Sequence, residues 1–114
     1  VRRIFGKTAP QILAIEEKVR KNDPAGHEKR FAMIEKNWPA ILRVIDEELP
    51  ETAEIDRLMR SLGMPRVPAD LNISDEDTKD AFTGAREIRD KYLSCSMLWD
   101  MGLTDEARAR VSAD

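Results

Sequence analysis

The stretch Glu51-Thr52-Ala53-Glu54-Ile55-Asp56-Arg57-Leu58-Met59-Arg60-Ser61-Leu62-Gly63 places Ile55, Leu58, Met59 and Leu62 at i, i+3, i+4 and i+7. That spacing is one face of an α-helix. Thr52 is suited to cap its start and Gly63 to close it in the left-handed conformation, while Pro50 ends whatever comes before. Upstream, Phe31, Ile34, Trp38, Ile41, Leu42, Ile45 and Leu49 hold a single helical phase straight through Pro39. A proline there removes a backbone hydrogen bond and crowds the Glu35 carbonyl. Either one long helix kinks at Pro39, or a second helix starts there with Asn37 or Trp38 as its cap; the unbroken phase favours the first. Asp23 followed by Pro24 is a helix start, and Asn22 with Asp23 ends an earlier helix over residues 9–21 that carries Ile12, Ile15 and Val19, with Pro10 in its first turn.

Downstream of Gly63, Pro65 and Pro68 predict an extended connector. Ser74 and Asp77 form a pair like a capping box, opening a helix with the stripe Thr78, Ala81, Phe82, Ala85, Ile88 and Tyr92. A short helix over 93–101 is closed by Gly102, and Thr104 caps a last turn or two reaching Ser112. No segment alternates as a strand does, and no repeat is visible. The expected fold is all-α, a single helical domain over residues 1–114 built as a bundle of five to six helices.

Composition agrees. Charged residues make up 36% of the 114 and aromatics 5%, which suits helices with wet outer faces. The net charge is −3 with no concentrated basic face, so nucleic acid is not an expected partner. No apolar run approaches the roughly 18 residues that span a bilayer, so a membrane is not expected either. The single Cys95 rules out an internal disulfide and fits a reducing compartment, with the cytoplasm as the expected location.

Chemistry is hard to find in this chain. His27 is the only histidine and is read as a solvated residue in the first turn of a helix. No Glu-x-x-His or His-x-x-x-His pair supplies two metal ligands from one face. Residues 75–86 resemble a calcium loop only in Asp75 and Asp77; its sixth position is Asp80 in place of glycine and its twelfth Arg86 in place of glutamate. Cys95, next to Met97 and Leu98 and far from His27, reads as a packed side chain rather than a nucleophile. The five glycines are scattered, so no phosphate cradle or dinucleotide fingerprint is present. No catalytic, cofactor-binding or metal-binding residue is therefore assigned. Two weaker candidates remain. Arg86 and Arg89, with Lys91 close by, share a helix face that could meet an anion, against the plainer reading of ion pairs Arg86–Asp90 and Glu87–Lys91. Trp38, Met97, Trp99 and Met101 are candidates for contact with another domain or subunit, or for ordinary core packing.

The order of certain residues resembles a known family. Asn37 and Trp38 are followed by a Leu62-Gly63-x-Pro65 turn and by Pro68 with Asp70-Leu71-Asn72-Ile73-Ser74. Then come Ala85-Arg86-Glu87-Ile88-Arg89-Asp90-Lys91-Tyr92 and Leu98-Trp99-Asp100-Met101-Gly102-Leu103. Together they resemble the C-terminal helical domain of bacterial sn-glycerol-1-phosphate dehydrogenases, within the superfamily of glycerol dehydrogenases and iron-containing alcohol dehydrogenases. The likeness runs over residues 37–105. Asn72 stands where a glycine is commoner, and Leu93, Ser94 and Cys95 replace a more usual Thr followed by an aliphatic pair. The resemblance implies a parent oxidoreductase that passes a hydride between NAD(P) and dihydroxyacetone phosphate, with a divalent metal (Zn, Ni or Fe). It also implies that nucleotide and metal sites lie in parts not matched here, so this chain would need an N-terminal nucleotide-binding domain as its partner; a homodimer is a further expectation. The competing expectation is a stand-alone helical adaptor. An adaptor should hide its apolar stripes apart from one modest patch; a part of a larger enzyme should leave an apolar face uncovered.

Overall fold

The computed structural model describes residues 1–88 and 90–111. The described residues are all-α and contain no strand. A single turn, α1 (Arg2–Phe5), runs through a 3₁₀ turn at Gly6–Thr8 into α2 (Ala9–Val19). The long α3 (Pro24–Glu48) and α4 (Thr52–Ser61) follow, then a 3₁₀ turn at Pro68–Leu71, α5 (Asp75–Ala85), α6 (Ser94–Asp100) and α7 (Thr104–Arg110). Six helices of seven residues or more match the expected count.

Local chemistry explains most boundaries. Asp23 accepts the Gly26 N–H at 3.0 Å and Ser74 the Asp77 N–H at 3.1 Å, each satisfying an orphan donor of a first turn. α3 continues through Pro39 as one helix, as its apolar phase predicts. Gly63 (φ +63°) and Gly102 (φ +73°) close α4 and α6 in the left-handed region, with Met64 N–H reaching back to the Met59 carbonyl and Leu103 N–H to that of Leu98. α2 ends in the same way without a glycine. Arg20 takes φ +51° and Lys21 N–H bonds the Glu16 carbonyl, so the helix stops two residues short of the expected end.

Three expectations need correction. The connector is not wholly extended: Asp70 turns back to accept the Arg66 and Val67 N–H groups at 2.8 and 3.2 Å, winding the 3₁₀ turn. Thr52 and Thr104 are the first residues of α4 and α7 rather than their caps, and Glu51 and Leu103 occupy the cap positions. The helix expected to continue to Tyr92 stops at Ala85, so Ile88 is exposed rather than part of a stripe. The expected end of the last helix at Ser112 lies outside the described residues.

Packing is uneven. α1 crosses α5 so closely that a Cβ on Gly84 would lie 3.0 Å from Phe5 Cζ, and α5, α6 and α7 pack on one another, with α3 meeting α6. By contrast, the distal half of α3 and all of α4 form an arm with no extensive contact to any other described helix. The radius of gyration is 16.4 Å, against about 13 Å for a compact chain of this length. Ala9 is the one described apolar residue that is fully buried, whereas Leu49, Leu58 and Leu62 are each more than half exposed.

Candidate functional site: a buried polar clamp

The polar groups concentrate where the end of α2, the start of α3, the 86–93 segment and α6 converge. Asp100, the last residue of α6, has a side chain only 1% exposed. It accepts Arg30 Nε at 2.7 Å and Arg30 Nη2 at 3.0 Å, one on each oxygen, and the Tyr92 hydroxyl at 2.8 Å. Burial pushes the Asp100 carboxyl up, but the hydrogen bonds from Arg30 and Tyr92 and the nearby positive charge outweigh it and hold the group below its ordinary value. Tyr92 is pushed up to about 12, first by burial and then by its bond to the Asp100 carboxylate. His27 Nε2 lies 3.0 Å from the Asp100 carbonyl oxygen, and its ring meets Trp99 edge-on at 5.1 Å. His27 is therefore a half-buried strut between α3 and α6, not the solvated residue expected.

Arg86 anchors the other half. It is 8% exposed, donates to Glu87 Oε1 at 2.7 Å and Asn22 Oδ1 at 2.6 Å, and stacks its guanidinium 4.0 Å over the Trp99 ring. Lys21 Nζ donates to the Arg86 carbonyl and lies 3.6 Å from Glu87 Oε2. These bonds lie just past Ala85, where α5 ends. Glu16, on α2, is raised to about 7, mainly by burial and then by a hydrogen bond to Glu87. Burial also pushes Glu87 up, but the Glu16 hydrogen bond, Arg86 and Lys21 win and hold it below its ordinary value.

The sequence candidates can now be placed. Arg86 sits past the helix end, committed to Glu87, Asn22 and Trp99, and the expected companion Arg89 lies outside the described residues. The expected pair Glu87–Lys91 is replaced by Glu87 with Arg86 and Lys21, and Lys91 lies 3.5 Å from Asp90. Trp99 is held between Arg86 and His27. Met97 and Met101 are half-buried in and just after α6, and Trp38 is half-buried on α3 beside Pro39. Sequence reasoning missed Arg30, Asn22, Lys21 and Glu16, which come from elements remote in sequence from Asp100 and Arg86. The only available signal was an unusual density of charge around helix ends.

The cleft beside the clamp, lined by Arg20, Lys21, Arg30, Arg86, Tyr92 and Asp100 among others, has a volume of about 140 Å³. Organic ligands usually occupy roughly 300–1,000 Å³. Its Arg30 and Arg86 are already paired with carboxylates. Among the described residues no group of three His, Cys, Asp or Glu side chains could hold a metal ion, and Cys95 is a free, half-buried thiol. These donors do not fit a catalytic metal. No described helix is long and apolar enough to cross a membrane. What the arrangement does chemically is fasten helix ends together: a small all-helical domain pinned at one end by buried ion pairs. No family model, no curated protein and no solved structure matches the chain.

Proposed function

We propose that this chain is the C-terminal helical part of an NAD(P)- and metal-dependent dehydrogenase similar to the glycerol-1-phosphate dehydrogenases, with nucleotide and metal held by an N-terminal domain that packs against it. The observation that carries the reading is the uncovered apolar surface. A compact protein of 13.0 kDa exposes about 6,300 Å², whereas this chain exposes 8975 Å². The apolar groove of Met33, Ile34, Ile41 and Tyr92 lies open along α3. A stand-alone adaptor would show one modest patch, but here exposed apolar residues run along α3, α4 and the connector.

A second support comes from the residues that carry the resemblance, because several of them have a geometric task. Arg86, Tyr92, Trp99 and Asp100 make the clamp, and Gly102 takes the left-handed turn. Asn72, the departure from glycine, has φ +57°, a conformation that asparagine tolerates better than other residues with side chains. The role assigned to the clamp is to hold α3 and α6 rigid so that the open face of α3 can support the catalytic domain.

Two measurements test this. The intact mass of the native protein that contains these residues should be near three times 13.0 kDa; a native product of this length would sink the reading. Titrating the 114-residue chain with NADH and NADPH should show no saturable binding, since no residue here cradles a dinucleotide. Binding in the micromolar range would contradict the proposal that the nucleotide is held elsewhere.

A further inference from the structure

The charges of the arm are sorted by side as well as by sequence. Residues 46–56 contain Asp46, Glu47, Glu48, Glu51, Glu54 and Asp56 and no base. On a helix, residues three or four apart are neighbours on one face. Asp46 comes four residues after Leu42 and Glu48 three after Ile45, so acids border the apolar stripe of distal α3. Glu51 and Glu54 stand four residues before Ile55 and Leu58 and border the stripe of α4 in the same way. The arginines lie elsewhere. At about 3.6 residues per turn, Arg57 and Arg60 fall on the side of α4 turned away from the Leu58 stripe, and Arg43 falls on the back of α3. Among the described residues, no ion pair involves Asp46, Glu48, Glu51 or Glu54. The stripes that these acids border are open, with Leu42 46%, Leu49 62%, Leu58 58% and Leu62 64% exposed.

We propose that the arm docks an amphipathic helix of a partner protein, one whose apolar stripe is flanked by lysine or arginine. The leucines and isoleucines of the arm form ridges at helical spacing, into which the side chains of another helix pack. The ten residues of α4 match about three turns of such a helix. Cations beside the incoming stripe meet the acids that border the arm's stripes, with their aliphatic stems lying over the apolar margin. The same acids disfavour the other occupants. A second copy laid on this face sets acid beside acid, and an anionic membrane surface or a nucleic acid is repelled. The groove of Met33, Ile34, Ile41 and Tyr92 shares none of these residues and stays open for a further domain. The docking proposal therefore does not rest on the dehydrogenase reading.

Fluorescence anisotropy of labelled synthetic peptides titrated with the 114-residue chain tests it. One peptide carries a leucine stripe flanked by lysines, a second the same stripe flanked by glutamates, and a third the lysine peptide's residues scrambled so that no stripe forms. The lysine-flanked peptide should bind saturably in the micromolar range, at least about tenfold more tightly than either control, and should weaken as salt is raised. Leu58→Ser with Leu62→Ser should weaken that binding by at least about tenfold while leaving the helical circular dichroism unchanged, because both leucines are exposed within the chain. Glu51→Lys with Glu54→Lys should lose the lysine-flanked peptide and take up the glutamate-flanked one. A lysine-flanked peptide that binds no better than its scramble, or that binds the double serine variant equally well, would overturn the proposal. So would an arm covered by another occupant, seen as a dimer in analytical ultracentrifugation, or as sedimentation with phosphatidylserine vesicles, that the double serine variant abolishes. The nucleotide titration tests the dehydrogenase reading separately and is unaffected by either result.

Discussion

The clamp and the arm are built from opposite materials. At the clamp, charged side chains are buried against partners: Asp100 accepts two bonds from Arg30 and one from Tyr92, and Arg86 donates to Glu87 and Asn22 and stacks on Trp99, although Arg86 Nε and one Glu87 oxygen are left without a hydrogen bond. On the arm, apolar side chains are exposed and unanswered, with Leu49, Leu58 and Leu62 all more than half exposed. The contrast shows where this chain's own stability resides. A buried ion pair is costly to break because the surviving partner is left without a counter-charge. An exposed leucine contributes little until something covers it.

The comparison is broken most severely at Asp100. Asp100→Ala should destabilise the chain by about 3 kcal/mol, measured by urea unfolding, since it strips Arg30 and Tyr92 of their acceptor at once. A loss below about 1 kcal/mol would mean that the clamp is not what holds the helices together. Next in size is Pro39→Ala. It restores a backbone hydrogen bond in the middle of an exposed helix and should stabilise the chain by about 1–3 kcal/mol with a gain in helical circular dichroism.

A pH effect of about 2 kcal/mol follows from Glu16, whose own shift would give roughly 3 kcal/mol but is partly offset by Glu87, held below its ordinary value. Its folded value of about 7 lies above the ordinary 4.5, so the folded chain holds that proton more tightly than the unfolded one. Stability from this group is therefore full below the lower value and is lost as pH rises through 4.5 toward 7. Glu16→Gln should flatten the decline in that window when melting temperature is followed against pH; an unchanged profile would remove Glu16 from the account. The smallest effect is expected on the arm. Leu58→Ser should change stability by less than about 0.5 kcal/mol, since Leu58 is exposed. The amides of α4 should also exchange with solvent faster than those of α5 and α6.

Much of the helix plan could be read from the residues alone. The caps Asp23 and Ser74 and the closures at Gly63 and Gly102 are local events, decided by a few neighbouring backbone groups, and all four stand in the structure. The third left-handed closure, at Arg20, was not legible, because an arginine carries no preference for that conformation. The candidate site was read only in fragments. Arg86 and Trp99 were singled out separately, one for an anion or an ion pair and the other for a domain contact or core packing, and only the fold stacks one on the other. The acceptor Asp100 and its donor Arg30 are 70 positions apart, so no spacing rule could join them.

By itself the amino-acid order determined the all-helical class, most of the helix ends and the single phase of α3 through Pro39, because those depend on interactions within a turn or two of helix. Only the tertiary structure decided that α5 stops at Ala85, that His27 braces Asp100, and that α4 stands apart from the other helices. Those outcomes turn on which charges meet when distant helix ends converge. That meeting is set by the energy of burying each charge with or without a partner, a quantity no local pattern contains.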